Sequence, residues 1–275
     1  MAIRQLSDAP KENSQPCRLG LAARIRRRLG WYVFRFKMDN PIIGWLIGVT
    51  GNRVQLNGIT VKVDNPLIQT RHKSTIFFGL YELPERRFVE KYVNSNTTIV
   101  ELGGSIGVVA CIANKRLCHP DRHIVVEANP TLIPTLESNR EINQCGFLIK
   151  HAAVAYGTGE VCFSSDGHFL MGHLAHTNES DLSRVQACTL SELVLELEGS
   201  AENSELLLLC DIEGAEIDLI RHDLPCIASR FRTIIMETHP GLVGTETTAA
   251  ALLSLEKAGF EMVERDSEVV VMVKK

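Results

Sequence analysis

The chain predicts an α/β fold: a mostly parallel sheet of seven strands, closed by a C-terminal antiparallel hairpin and preceded by an N-terminal extension. Three observations predict it. From Tyr81 onward, short apolar strand-like runs alternate with helical patterns in a βαβ rhythm. The first strand of the series runs into a glycine turn and then a helix, in "TTIVELGGSIGVV" at 97–109. The last two strands are separated only by "RDSE", with no room for a crossover helix, so they pair antiparallel.

The elements follow in order. Residues 1–17 are polar and aperiodic and read as a flexible tail. Residues 18–37 carry seven basic residues among Leu19, Leu21, Ile25, Leu29, Tyr32, Val33 and Phe36, which predicts a basic amphipathic helix. "VQLNGITVKVDN" places an Asn-Gly turn between alternating runs, a β-hairpin at 54–63. Strands are expected at 98–102, 123–127, 147–152, 206–210, 232–237, 260–264 and 268–273, and helices at 84–93, 106–117, 131–142, 189–197, 214–221 and 246–258. The division is therefore 1–80, an extension, and 81–275, a Rossmann-like domain.

Charge divides the same way. The first 40 residues hold nine Lys/Arg against three Asp/Glu, which leaves 20 against 30 for the rest of a chain of net charge −4. Such a basic arm suits peripheral contact of residues 18–37 with an anionic membrane, on an otherwise cytoplasmic protein. The longest apolar stretch nearby, "PIIGWLIGV", is about half of what a bilayer requires. Eight cysteines without a Cys-x-x-Cys pair read as reduced thiols.

In open parallel sheets the ligand lies beyond the carboxyl ends of the strands, where strand order reverses. That puts Gly103, Gly104, Ser105 and Gly107 at a site. A dinucleotide fingerprint would need glycine where Ser105 and Val108 stand, and no Lys-Ser/Thr follows to make a phosphate loop. Twenty residues beyond Gly107, the strand "HIVVE" ends in Glu127, a carboxylate suited to two ribose hydroxyls. Strand, glycine turn, helix, strand and acid together suit S-adenosyl-L-methionine.

At this point the chain resembles the FkbM-type methyltransferases, from Tyr81 to Glu264. The matching stretches are "YELPE" (81–85), "VELGGSIG" (100–107), "VVEANP" (125–130), "HAAVAYGTGEVCF" (151–163), "DIEGAE" (211–216) and "METHP" (236–240). The resemblance implies O-methylation of a hydroxyl on a sugar, glycolipid or secondary metabolite. It implies Glu101, Gly103 and Gly107 along the methionine moiety, Glu127 at the ribose, Ala128 and Asn129 near the adenine, and Ala152 and Ala153 as its wall. Tyr81 and Glu82 fall to the acceptor side. Two positions depart from the family pattern: Glu101 stands for aspartate and Ser105 for asparagine.

Methyl transfer to a hydroxyl needs alignment and a base. Asp211, at the end of "ELLLLC", is the first candidate and Glu213 the second, against a competing reading as helix-capping carboxylates. "IIMETHP" adds Glu237 and His239 at the neighbouring strand end, His239 as base partner and Glu237 toward the acceptor. His168, His173 and His176 share a loop whose spacing fits no zinc pattern, so no metal is expected, and His168 and His173 are read as acceptor contacts. Two other functions compete. A nucleic-acid methyltransferase would use the basic arm, but Asp-Ile-Glu-Gly is not the loop that amine methylation uses, and the acidic body argues against a polyanion. An inactive membrane- or partner-binding scaffold would bind no adenosine ligand.

Overall fold

A computed structural model describes residues 40–157, 159–164, 173–174, 182–198 and 205–275. The tail at 1–17 and the basic helix expected at 18–37 lie outside the described residues.

Asn40 starts helix α1 (Pro41–Val49), its side chain accepting from the N–H groups of Ile42 and Ile43 at 3.1 Å each. The helix packs through Gly44 and Ile47 and leaves Ile42, Trp45, Leu46 and Val49 exposed. Strands β1 (Arg53–Leu56) and β2 (Ile59–Lys62) form the expected hairpin, one residue earlier than read. Asn57 and Gly58 turn it at φ 46° and 80°, the left-handed pair that the Asn-Gly signal implies. Helix α2 (Thr70–Phe77) and helix α3 (Leu83–Tyr92) then lead into the sheet.

The first half of the sheet is β3 (Thr97–Leu102), α4 (Val108–Asn114), β4 (His123–Glu127), α5 (Ile133–Ile142) and β5 (Leu148–His151). Strands β6 (Ala153–Val154), β7 (Glu160–Ser164), β8 (His173–Leu174) and β9 (Leu182–Cys188) make a separate sheet in the order β6-β9-β7-β8. The second half follows as α6 (Leu190–Glu198), β10 (Glu205–Cys210), α7 (Glu216–Arg230), β11 (Phe231–Glu237), the single turn α8 (Pro240–Val243), α9 (Thr245–Lys257), β12 (Phe260–Asp266) and β13 (Val269–Lys274).

The seven-stranded order is β12-β13-β11-β10-β3-β4-β5. β5, β4, β3, β10 and β11 run parallel, and β13 is antiparallel to both its neighbours. Order reverses between β3 and β10, whose connections leave in opposite directions. Both faces are covered, so the strands read as near-continuous apolar runs. Ile99, Leu207, Leu209 and Val271 face α3, α4, α5 and the N-terminal layer. Val100, Leu208, Ile234 and Met272 face α6, α7 and α9.

One expected helix runs well past its expected end. α7 continues past residue 221 and through Pro225 to Arg230. Proline removes one helical hydrogen bond, yet Leu219, Ile220 and Ile227 lie in one apolar core on both sides of it, and that burial holds the helix together.

Candidate active site

The carboxyl ends of β3, β4, β10 and β11 open into a cavity of about 510 Å³, roofed by residues 80–85. Its lining includes Tyr81, Glu82, Gly103, Ser105, Glu127, Ala128, Asn129, Ala152, Ala153, Asp211, Glu213, Glu237 and His239, all expected at the site.

The glycine turn holds less of the cavity than its composition suggests. Gly103 lines it, at φ 90°, and a Cβ there would stand 1.7 Å from the carbonyl oxygen of Asp211, so this glycine lets two strand ends lie side by side. A Cβ on Gly104 would meet Val125 at 2.3 Å, and one on Gly107 would meet Leu136 at 2.6 Å. These two glycines serve packing, and neither lines the cavity. Glu101 does not line it either. Along β3, alternate residues face opposite sides of the sheet, and Glu101 turns into the core, where His123 Nε2 lies 2.9 Å from its Oε2. Burial raises the Glu101 carboxyl above its usual range, and the His123 bond opposes that rise.

Glu127 faces the cavity. Its Oε2 accepts from Ser105 N–H at 2.6 Å and its Oε1 from Asn129 N–H at 2.7 Å. Ser105 sits at φ 47°, which aims its N–H at the carboxylate while its hydroxyl lies 3.0 Å from Tyr81 Oη. Burial raises the Glu127 carboxyl to about 7, against the lowering effect of those N–H groups. Ala152, Ala153, Val154 and Leu132 give the neighbouring wall its apolar surface.

The other end of the cavity is built around His239. Its Nδ1 donates to Glu216 Oε1 at 3.0 Å, and its Nε2 faces Asp211 Oδ1 at 3.4 Å and Glu213 Oε2 at 3.5 Å. Burial opposes the imidazolium, but the Glu216 bond and the charges of Glu216, Asp211 and Glu213 outweigh it and raise His239 to about 9. Asp211 is raised well above its ordinary value by burial and by Glu237, with His239 opposing. Glu237 reaches about 7 through burial and the neighbouring Glu85.

Glu216 is the residue that sequence reasoning missed. It is 2% exposed, and besides His239 it accepts from the N–H groups of Ile212 at 3.0 Å and Gly214 at 2.9 Å. The capping role weighed for Asp211 and Glu213 belongs to Glu216; its position in the first turn of α7 was the available signal. Glu85, buried under the roof, was missed as well. Glu82, Ser105, Glu213 and Ser267 line the cavity with positive φ, a concentration of strained backbone that marks a shaped site. Asp211, Glu216 and His239 lie within 4.8 Å of one another, close enough to share a cation. His168 and His176 lie outside the described residues; His173 falls in β8, with its side chain outside the description.

No protein-family profile matches the chain, and no curated protein matches it. Among solved structures, a putative O-methyltransferase from Klebsiella pneumoniae is similar at 10% identity over 70% of this chain and 80% of its own, with a TM-score of 0.42. The ribosomal protein L11 methylase of Lactobacillus delbrueckii is similar at 11% identity over 71% and 79%, TM-score 0.41. Aeropyrum pernix fibrillarin with natively bound S-adenosyl-L-methionine is similar at 12% identity over 70% and 73%, TM-score 0.37. Identities this low leave the chemistry to be read from this chain's own residues.

Proposed function

We propose that the protein is an S-adenosyl-L-methionine-dependent methyltransferase that methylates a hydroxyl of a small or glycan acceptor. The observation that carries the reading is Glu127. It ends β4 inside the cavity, with Oε2 fixed by the Ser105 N–H and Oε1 by the Asn129 N–H. Two fixed acceptors side by side suit the two hydroxyls of a ribose, and the apolar wall at Ala152 to Val154 suits an adenine ring. When bound, S-adenosyl-L-methionine supplies an electrophilic methyl on a sulfonium.

The chain's residues supply the rest. Glu216 holds His239 by Nδ1, so Nε2 stays turned toward Asp211. With His239 raised to about 9, it carries its proton at neutral pH, which suits it to orient and stabilise Asp211 rather than to act as the base. Asp211, which lines the cavity at the end of β10, takes the hydroxyl proton. Tyr81, Glu82 and Glu237 border the acceptor side. Among the described residues, six carboxylates and no lysine or arginine line the cavity, and phosphates of a nucleic-acid acceptor would meet like charge there.

The test is calorimetry with S-adenosylhomocysteine. Binding is expected, and Glu127→Ala should weaken it by about 2–4 kcal/mol, the order of magnitude for losing hydrogen bonds to a charged partner. An unchanged affinity removes Glu127 from the site; no binding to the native protein favours the scaffold reading.

We also infer peripheral contact with anionic membrane. No described helix is long and apolar enough to cross a membrane. Support comes from α1, whose exposed Ile42, Trp45, Leu46 and Val49 directly follow the basic stretch at 18–37. Co-sedimentation with anionic vesicles at low salt, lost with neutral vesicles, is the expected result.

A further inference from the structure

We propose that Cys111 and Cys145 form a reversible disulfide couple, in which a peroxide oxidises Cys145 and Cys111 closes the bridge. The couple lies outside the cavity, so the proposal stands apart from the methyltransferase reading.

The two residues are 34 positions apart and meet across two elements. Cys111 lies in α4 and is fully buried; Cys145 follows α5 and is half-buried. The Cys145 Sγ lies 3.8 Å from the Cys111 carbonyl oxygen, and a hydrogen bond joins the two thiols. The segment that carries Cys145 is already fastened on both sides. Its own N–H donates to Arg140 O at 2.9 Å, in α5, and the next N–H, of Gly146, donates to Asn114 Oδ1 at 2.9 Å, in α4. Two thiols held in contact by backbone anchored to both helices need little movement to be joined.

The same contact divides the labour between them. The hydrogen bond from Cys111 lowers the Cys145 thiol below its ordinary range against the effect of burial, and Lys115 adds to the lowering. That bond and burial raise Cys111. The thiolate is the species that attacks a peroxide, so Cys145, which is also the more exposed of the two, reacts first.

The Cys145 thiolate displaces hydroxide from the peroxide, breaking the O–O bond and leaving a sulfenic acid; the hydroxide takes up the proton that Cys145 released and becomes water. The Cys111 sulfur then attacks the Cys145 sulfur. The S–O bond breaks, and the hydroxyl leaves with the Cys111 proton as a second water. Two thiols have lost two electrons and two protons, and hydrogen peroxide has been reduced to two waters. A small dithiol reverses the oxidation. The bridge ties α4, which starts at the Gly107 end of the glycine turn, to the connection between α5 and β5. Closing a loop that spans 34 positions restricts the unfolded chain more than the fold, so the oxidised chain is the more stable.

The test treats the full chain with about one equivalent of hydrogen peroxide, blocks the remaining thiols with N-ethylmaleimide and digests the product for mass analysis. A disulfide-linked pair of peptides carrying Cys111 and Cys145 is expected, formed at least about tenfold faster than the exposed Cys118 is oxidised. The melting temperature of the oxidised chain should rise by about 5 °C or more and return with dithiothreitol. Cys145→Ala should abolish both the linked peptides and the rise, and Cys118→Ala should change neither. If Cys145→Ala does not fold, the peptide analysis of the native chain decides alone. Oxidation of Cys118 ahead of the pair overturns the proposal. So does Cys145 carried on to sulfinic acid with Cys111 still a thiol, or a rise in melting temperature that survives the loss of Cys145.

Discussion

His239 should leave a signature in the pH dependence of stability. In the unfolded chain an imidazole titrates near 6.5, and in the fold His239 titrates at about 9. A group raised in the fold stabilises it fully below the unfolded value, and that contribution is lost as pH climbs through the folded value. The window is therefore pH 6.5 to 9, and at ~1.36 kcal/mol per pH unit the loss is about 3 kcal/mol. The side chain is only 10% exposed, so solvent screening takes little from this figure. Glu127 and Glu237, both raised to about 7, lose their contributions in a lower window, from about 4.5 to 7. Urea unfolding of the native chain and of His239→Asn, from pH 6.5 to 9.5, cancels Glu127, which is common to both, and avoids most of the range in which Glu237, coupled to His239, titrates. The stability difference should shrink by about 3 kcal/mol between pH 6.5 and 9.5. Glu216→Gln, which removes the carboxylate charge behind Nδ1, should move the window toward lower pH. A difference that stays flat within ~0.5 kcal/mol would refute the assignment of His239 as a held imidazolium.

The remaining expectations address single positions. Asp211→Asn should lower turnover at least about a hundredfold while S-adenosylhomocysteine affinity changes little, because the amide keeps the shape but takes no proton; turnover within threefold of native would make another group the base. Glu101→Gln should leave S-adenosylhomocysteine affinity unchanged and lower the melting temperature, since Glu101 serves the buried bond to His123 and not the cavity. Gly103→Ala should cost several kcal/mol or prevent folding, because its Cβ would overlap the Asp211 carbonyl, measured by thermal unfolding.

The sheet was legible because its strands are buried on both faces and so appear as unbroken runs such as "ELLLL" and "VVVMV". Strand ends were legible for the same reason, and they carried Glu127, Asp211, Glu237 and His239 to one cavity. Parity was not legible: Glu101 lies one residue before the strand end, and nothing in "VELGG" tells which face it takes. Glu216 was hidden differently. Its function depends on the loop of residues 212–214 folding back over its carboxylate, with Glu213 at φ 50°, and a left-handed glutamate has no sequence signature. Helix α1 was overlooked because "PIIGWLIGV" is apolar on every side and shows no period at all.

Helix α5 and strand β2 meet through two asparagines. Asn143 Oδ1 accepts from Thr60 N–H at 2.8 Å and its Nδ2 donates to Thr60 O at 2.8 Å; Asn139 repeats the pair on Lys62 at 2.6 and 3.2 Å. Each amide thus imitates a peptide of an adjoining strand. A two-stranded ribbon ordinarily presents a row of open backbone groups that can recruit another chain. Here that edge is already taken by side chains two residues apart on the strand and four apart on the helix. The β2 edge is sealed against edge-to-edge association without a third strand, and a chain cut to begin at Tyr81 would leave those amides facing water.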